Sequence, residues 1–178
     1  DSWRRCQGAS VDPAIYQAPP PIKENSLHSL QTECSELLTA STPVMAAARD
    51  FLAETGTVMV LTDQSGTILN LEGDMSTRGA AEDVHLLSGA NWSERWRGTN
   101  AIGTVIATGA PVRIDGMEHY MSSNGFLTCA AAPVRDAKGQ IAGVLNASTR
   151  HGSLSVDALK HVCESAARIE MGMFISFF

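Results

Sequence analysis

In residues 132–149, APVRDAKGQIAGVLNAST, two β-rich runs flank Asp136, Ala137, Lys138 and Gly139, residue types that suit a hairpin turn. The pattern has a counterpart about 70 residues earlier. There TVMVLTD (57–63) and GTILNLEGD (66–74) are joined through Asp63, Gln64, Ser65 and Gly66. With PVRI at 111–114, the two hairpins predict five or six strands, mostly antiparallel. Helical patterns lie at both ends and in the middle, so the class is α+β.

Outside the strands, Leu27, Leu30, Cys34, Leu37 and Leu38 recur at three-to-four spacing, the period of a helix with one buried face. Pro43 sits where a second helix would begin, capped by Ser41 or Thr42 and running to about Glu54 before Gly56. From Ser155 onward, Leu159, Val162, Ala166, Ile169 and Met173 form a seam at steps of 3, 4, 3 and 4. Such a seam either pairs with another helix or packs along its own sheet. Ahead of the body, QAPPPIKENS (17–26) carries three consecutive prolines, which fix an extended segment. The organisation read from the chain is an arm with a proline-rich segment at 1–26 and a domain at 27–178 ending in a signalling or dimerisation helix at about 155–178.

Composition narrows the function. A chain of 178 residues with 44% hydrophobic and 18% charged residues has enough apolar material for one core. A net charge of −6 is the wrong sign for neutralising nucleic-acid phosphates. Cys6, Cys34, Cys129 and Cys163 are scattered without a C-x-x-C pair and read as reduced thiols of a cytosolic protein. No run reaches the roughly 20 apolar residues of a membrane span. The opening DSWRRCQGAS lacks the apolar core of a secretion signal. The closing MGMFISFF (171–178) reads as a helix end packed on a partner, or as the end of a piece cut from a longer chain.

ERWRGTNAIGTVIATGAPV (94–112) is built with care yet holds few catalytic groups. Thr99 suits the cap of a helix on which Ala101, Ile102, Val105 and Ile106 share a face, and Gly109 with Pro111 ends it. Asn100 lies in the first turn, where unpaired backbone amides gather. Trp92 and Trp96 stand just upstream. Aromatic walls with a few fixed polar groups are what a small-molecule pocket needs, although one tryptophan can equally be core and the other its cover. His119 either donates to a ligand oxygen or bonds backbone near the surface. Cys129 opens CAAAPV (129–134), whose small side chains leave space above a sheet or let a helix pack closely. The spacing of His85, Glu118, His119 and Cys129 matches no ordinary metal-ligand pattern. No nucleophile motif surrounds Cys129.

The combination of WSE, GTNAIGT, EH followed by an aromatic, and C-x-A-A-P, together with the SWRRC...VDP opening, resembles the GAF sensor domain of the acetoin-catabolism regulators. These are bacterial activators that work with sigma-54 RNA polymerase. The likeness covers nearly the whole chain. It implies a GAF-like, PAS-related antiparallel sheet with the terminal helices on one face and, on the other, a ligand chamber roofed by helices and loops. It implies ligand contacts from Trp92, Trp96, Asn100, His119, Tyr120, Phe126 and Cys129, with no catalytic residue, metal or cofactor. The effector would be a small, weakly polar metabolite, a short alcohol, diol or ketone, bound by a homodimer. An ATPase domain and a DNA-binding domain accompany such sensors, and neither a G-x-x-x-x-G-K-[ST] loop nor a basic recognition helix occurs in this sequence. Tyr120 stands where the family pattern has Phe, and Asn146 where it has Asp, changes that alter the polarity offered to a ligand. Two other readings stay open: a redox enzyme using Cys129, and a dimerisation module with no ligand.

Overall fold

A computed structural model describes residues 1–73, 79, 81–150 and 152–175. Its five strands are β1 (Val58–Asp63), β2 (Ile68–Glu72), β3 (Val112–Asp115), β4 (Leu127–Arg135) and β5 (Ile141–Arg150). They form one sheet in the order β2-β1-β5-β4-β3, with every neighbouring pair antiparallel. The two hairpins close by the same local chemistry. Asp63 Oδ1 accepts from the N–H of Ser65 (3.0 Å) and Thr67 (2.8 Å). Asp136 Oδ1 accepts from Lys138 and Gln140, both at 2.9 Å. Gly66 and Gly139 follow with φ of +89° and +77°, a region that side chains disfavour.

Both faces of the sheet are covered. Because successive strand residues point to opposite sides, Met59, Leu61, Leu145 and Val134 face one layer of helices while Val58, Val60, Val144 and Ala131 face the other. The first layer holds α2 (Glu24–Glu33), α3 (Ser35–Ala47), α4 (Arg49–Thr55) and the long carboxy-terminal helix (Ala158–Ile175). Leu37, Met45, Leu52, Val162 and Ile169 are its buried contacts. The opposite layer, the roof, includes two short helices, Glu94–Arg97 and Ala101–Thr108, and Leu86, Trp92, Ile102 and Val105 pack from it onto the sheet. The expected α+β arrangement is the one observed, with five strands among the described residues.

One helix expectation changes, and one open reading is decided. Pro43 does not open a helix but lies inside α3, and the breaks fall at Cys34 and Ala48. Ser41 and Thr42, which read as caps, instead donate their hydroxyls back to the Leu38 carbonyl at 3.0 and 2.8 Å. The buried face of Leu37, Ser41 and Met45 carries the helix through the proline. At the carboxy terminus, Val162, Ala166, Ile169 and Met173 are buried against the chain's own sheet, so the seam is intramolecular. Met171, Phe174 and Ile175 stay exposed on the outer side. No helix among the described residues is long and apolar enough to cross a membrane.

Candidate ligand site

The roof is fixed by one asparagine. Asn100, not Thr99, caps the helix Ala101–Thr108: its Oδ1 accepts from Gly103 N–H at 2.9 Å. Its Nδ2 donates to the carbonyls of Trp92 and Gly98, each at 2.9 Å. The side chain is 1% exposed, and these bonds tie three successive parts of the roof together. Trp92, buried alongside it, donates Nε1–H to the His85 carbonyl at 3.1 Å. Trp96 is half-buried, with the Arg95 guanidinium 4.7 Å from its ring centre.

Thr99 meets the amino-terminal arm instead. The helix α1 (Ser2–Gly8) lies on the roof, where the Ser2 hydroxyl is 2.6 Å from Thr99 Oγ1 and also donates to Glu94 Oε1 at 2.6 Å. Arg5 forms a two-pronged pair with Glu94, at 2.7 and 2.8 Å, and Thr104 adds a bond at 3.0 Å. Burial pushes the Glu94 carboxyl up, but the bonds from Arg5, Ser2 and Thr104 together outweigh it, and the net shift is down. Tyr120 belongs to this arm contact, and His119 lies next to it in the chain. Tyr120 Oη donates to the Val11 carbonyl at 3.1 Å, and its ring meets Trp3 edge-on at 5.2 Å. His119 is 2% exposed, with Nδ1 2.8 Å from the Gly116 carbonyl.

Phe126 and Cys129 lie elsewhere, toward the end of the sheet where β1 begins and β5 finishes. A chamber of about 340 Å³ opens there on the roof side, lined by Val58, Leu86, Phe126, Leu127, Ser148 and Thr149 among others. Phe126 is 41% exposed at its mouth. A short polar chain runs inward from it: Ser148 Oγ donates to Cys129 Sγ at 3.1 Å and accepts from Asn146 Nδ2 at 2.8 Å. Asn146 Oδ1, at the inner end, is buried with no hydrogen-bond partner among the described residues. Burial pushes the Cys129 thiol up to about 12, only partly opposed by the Ser148 bond, so it stays protonated near neutrality. No group of three or more His, Cys, Asp or Glu side chains among the described residues is placed to hold a metal.

The seven side chains expected at one site therefore fall into separate places. Phe126 and Cys129 belong to the chamber and its polar chain, Trp92 and Asn100 to the roof interior, Tyr120 to the arm contact and His119 to the buried loop that bonds Gly116, with Trp96 at the roof's margin. Ser148 was passed over by sequence reasoning, and Asn146 was noticed only as a departure from a pattern. The alternation along β5, which sends Val144, Asn146 and Ser148 to one face, is the signal that joins them.

A family model described as the N-terminal domain of MimR matches residues 1–170. The chain is 32% identical over 148 residues to the acetoin dehydrogenase operon transcriptional activator AcoR of Bacillus subtilis (strain 168), a match spanning 83% of this chain and 24% of that protein. It is 31% identical over 152 residues to the propane 2-monooxygenase operon transcriptional activator MimR of Mycolicibacterium smegmatis, spanning 84% and 25%. The chain thus covers about a quarter of the length of these curated relatives. Among solved structures, Escherichia coli DhaR(N) from the DhaR(N)–DhaL complex aligns with a TM-score of 0.93 at 18% identity, over 99% of this chain and 60% of that one. At that identity the likeness establishes the shared fold.

Proposed function

The chain belongs to the MimR N-terminal domain family, and on that premise we propose that it is the ligand-sensing domain of a bacterial sigma-54-dependent transcriptional activator. Its effector is a small, weakly polar metabolite, a short alcohol, diol or ketone, held in the chamber at the end of the sheet. One observation carries the reading: an apolar chamber of about 340 Å³ has a polar chain reaching inward from its wall, and that chain ends in a buried amide oxygen without a partner among the described residues. A buried acceptor left unpaired costs about 1–3 kcal/mol, a cost that a hydroxyl-bearing ligand or a water relaying to one removes. The similarity to activators whose names concern acetoin and propane operons points to the same size of molecule.

Sensing, rather than catalysis, suits the thiol. A nucleophilic cysteine needs thiolate character and access, and Cys129 is buried and protonated. In the full-length protein the sensor would act on an ATPase domain, and through it on sigma-54 RNA polymerase and DNA. The domain itself, with a net charge of −6, is expected neither to bind DNA nor to hydrolyse ATP. Homodimerisation would use the exposed side of the carboxy-terminal helix at Met171, Phe174 and Ile175.

Thermal unfolding in the presence of acetoin, 2,3-butanediol, 2-propanol and 2-butanone tests the proposal. At a hundredfold excess over Kd, a ligand of the folded state adds about 2.7 kcal/mol. For a chain of this length each kcal/mol raises Tm by about 2–4 °C. A matching rise for at least one compound, lost in Ser148→Val, supports the chamber as the site. Indifference to every compound at high excess contradicts it.

A further inference from the structure

A second and smaller cavity, of about 120 Å³, lies between the roof and the arm, bordered by Tyr16, Asp83, Val84, Arg97, Met121 and Asn124 among others. It shares no lining residue with the chamber at Ser148. Arg97 is 2% exposed. Its Nε donates to the Asn91 carbonyl at 3.2 Å, while Nη2 is buried with no hydrogen-bond partner among the described residues. The guanidinium is clasped between two rings, 4.2 Å from the centre of Tyr16 and 4.8 Å from that of Trp92. Aromatic faces offset part of the cost of burying a cation but supply no acceptor for its N–H groups. Among the described residues no carboxylate lies within ion-pair distance of Arg97. Burial accordingly lowers the guanidinium to about 10.

The rest of the cavity is polar in a complementary way. Asn124, 4% exposed, brings a side-chain amide to the same cavity. Tyr16 stacks on His85, with centres 4.4 Å apart and planes 19° from parallel, and the pair forms one side of the cavity. His85 holds φ at +59°, a conformation costly for a residue with a side chain, while its carbonyl accepts from Trp92. The sequence offered no route to this cluster, because Tyr16 and Arg97 are brought together only by the docking of the arm.

We propose that this cavity binds a short-chain monocarboxylate, with the carboxylate on Arg97 and Asn124 and the alkyl part against Val84 and Met121. A buried guanidinium with an unpaired N–H and no ion pair among the described residues, beside an amide able to donate, is complementary to one carboxylate. The volume equals that of roughly four water molecules at about 30 Å³ each, room for a carboxylate with a short alkyl tail. Asp83 on the lining repels any anion, a singly charged carboxylate less than a doubly charged sulfate. Because Tyr16 is part of the arm, occupancy would strengthen the arm's hold on the roof.

Titrating the 178-residue chain with sodium propionate, followed by tryptophan fluorescence because Trp92 stacks on Arg97, tests the site. Sodium chloride, sodium sulfate and 1-propanol at matched ionic strength are the comparisons. A saturable change is expected with propionate alone, with an affinity at least tenfold weaker in Asn124→Ala and no saturation in Arg97→Gln. If Arg97→Gln does not fold, Asn124→Ala decides. Absence of saturation by propionate, equal saturation by sulfate or 1-propanol, or unchanged affinity in Asn124→Ala overturns the proposal. Saturating propionate is expected to leave the thermal response to 2,3-butanediol in place, so the two sites stand or fall separately.

Discussion

Removing the Asn100 side chain would strip hydrogen bonds from Gly103 N–H and from the carbonyls of Trp92 and Gly98, all within the roof. Loss of the cap and of two bonds to buried carbonyls is expected to make Asn100→Ala about 2–4 kcal/mol less stable. A lowered urea midpoint at unchanged slope is the readout; a midpoint equal to that of the wild type would mean that the roof does not depend on this amide. Gly98 is equally constrained. Its φ is +63°, and a Cβ there would come within 2.6 Å of the Tyr120 side chain, so Gly98→Ala is expected to cost about 3 kcal/mol from backbone strain and overpacking. The thiols offer a further check. Cys34 and Cys163 are half-buried whereas Cys6 and Cys129 are buried, and burial pushes the Cys129 thiol up to about 12, so iodoacetamide should label Cys34 and Cys163 well before Cys129, as followed by mass spectrometry. Rapid labelling of Cys129 would revive the redox reading. At this scale the sequence shows which residues are polar and where they sit along the chain, but not what they face. Asn100 is visible as a polar group at a helix start, while its two carbonyl partners are set by the folding back of the roof.

The arm is the element whose position depends most on charge. Glu94 receives bonds from Ser2, Arg5 and Thr104, and its net shift is downward from the ordinary carboxyl value of about 4.3–4.5. Its contribution to docking is therefore complete above that ordinary value and is lost as pH falls through the lowered, folded-state value. Hydrogen exchange of α1 should show protection at neutral pH that disappears in acid before the sheet opens. In Glu94→Gln the arm should be unprotected at neutral pH. Protection of α1 that persists in Glu94→Gln would show that the ion pair does not hold the arm. The hairpins were readable because an Asp and a Gly three residues later close each turn locally. The arm was not, because Arg5 and Glu94 lie 89 positions apart. Pro43 misleads for a related reason: local preference starts a helix there, and packing of Leu37 and Met45 on the sheet carries one through it.

Across the whole molecule, one sheet separates two unlike layers. The terminal helices form a continuous apolar layer on one side, and Gly172 brings the last helix close to α3, where a Cβ would lie 3.1 Å from that of Ala40. The roof on the other side is packed at its centre around Trp92 and opens at one end into the chamber. Occupancy of the chamber would act on β1 and β5, through Val58 and Ser148, and the opposite faces of the same strands carry the terminal helices through Met59 and Ala147. Such coupling requires a ligand that binds one arrangement of these layers more tightly than another. The most direct measurement is a pair of ¹H–¹⁵N correlation spectra of the chain, without and with saturating 2,3-butanediol or acetoin. Shifts concentrated at Val58, Phe126, Leu127, Ser148 and Thr149 are predicted, weakening with distance into the terminal helices. Unchanged spectra with both compounds, or shifts confined to the outer side of the last helix, would contradict sensing in the chamber.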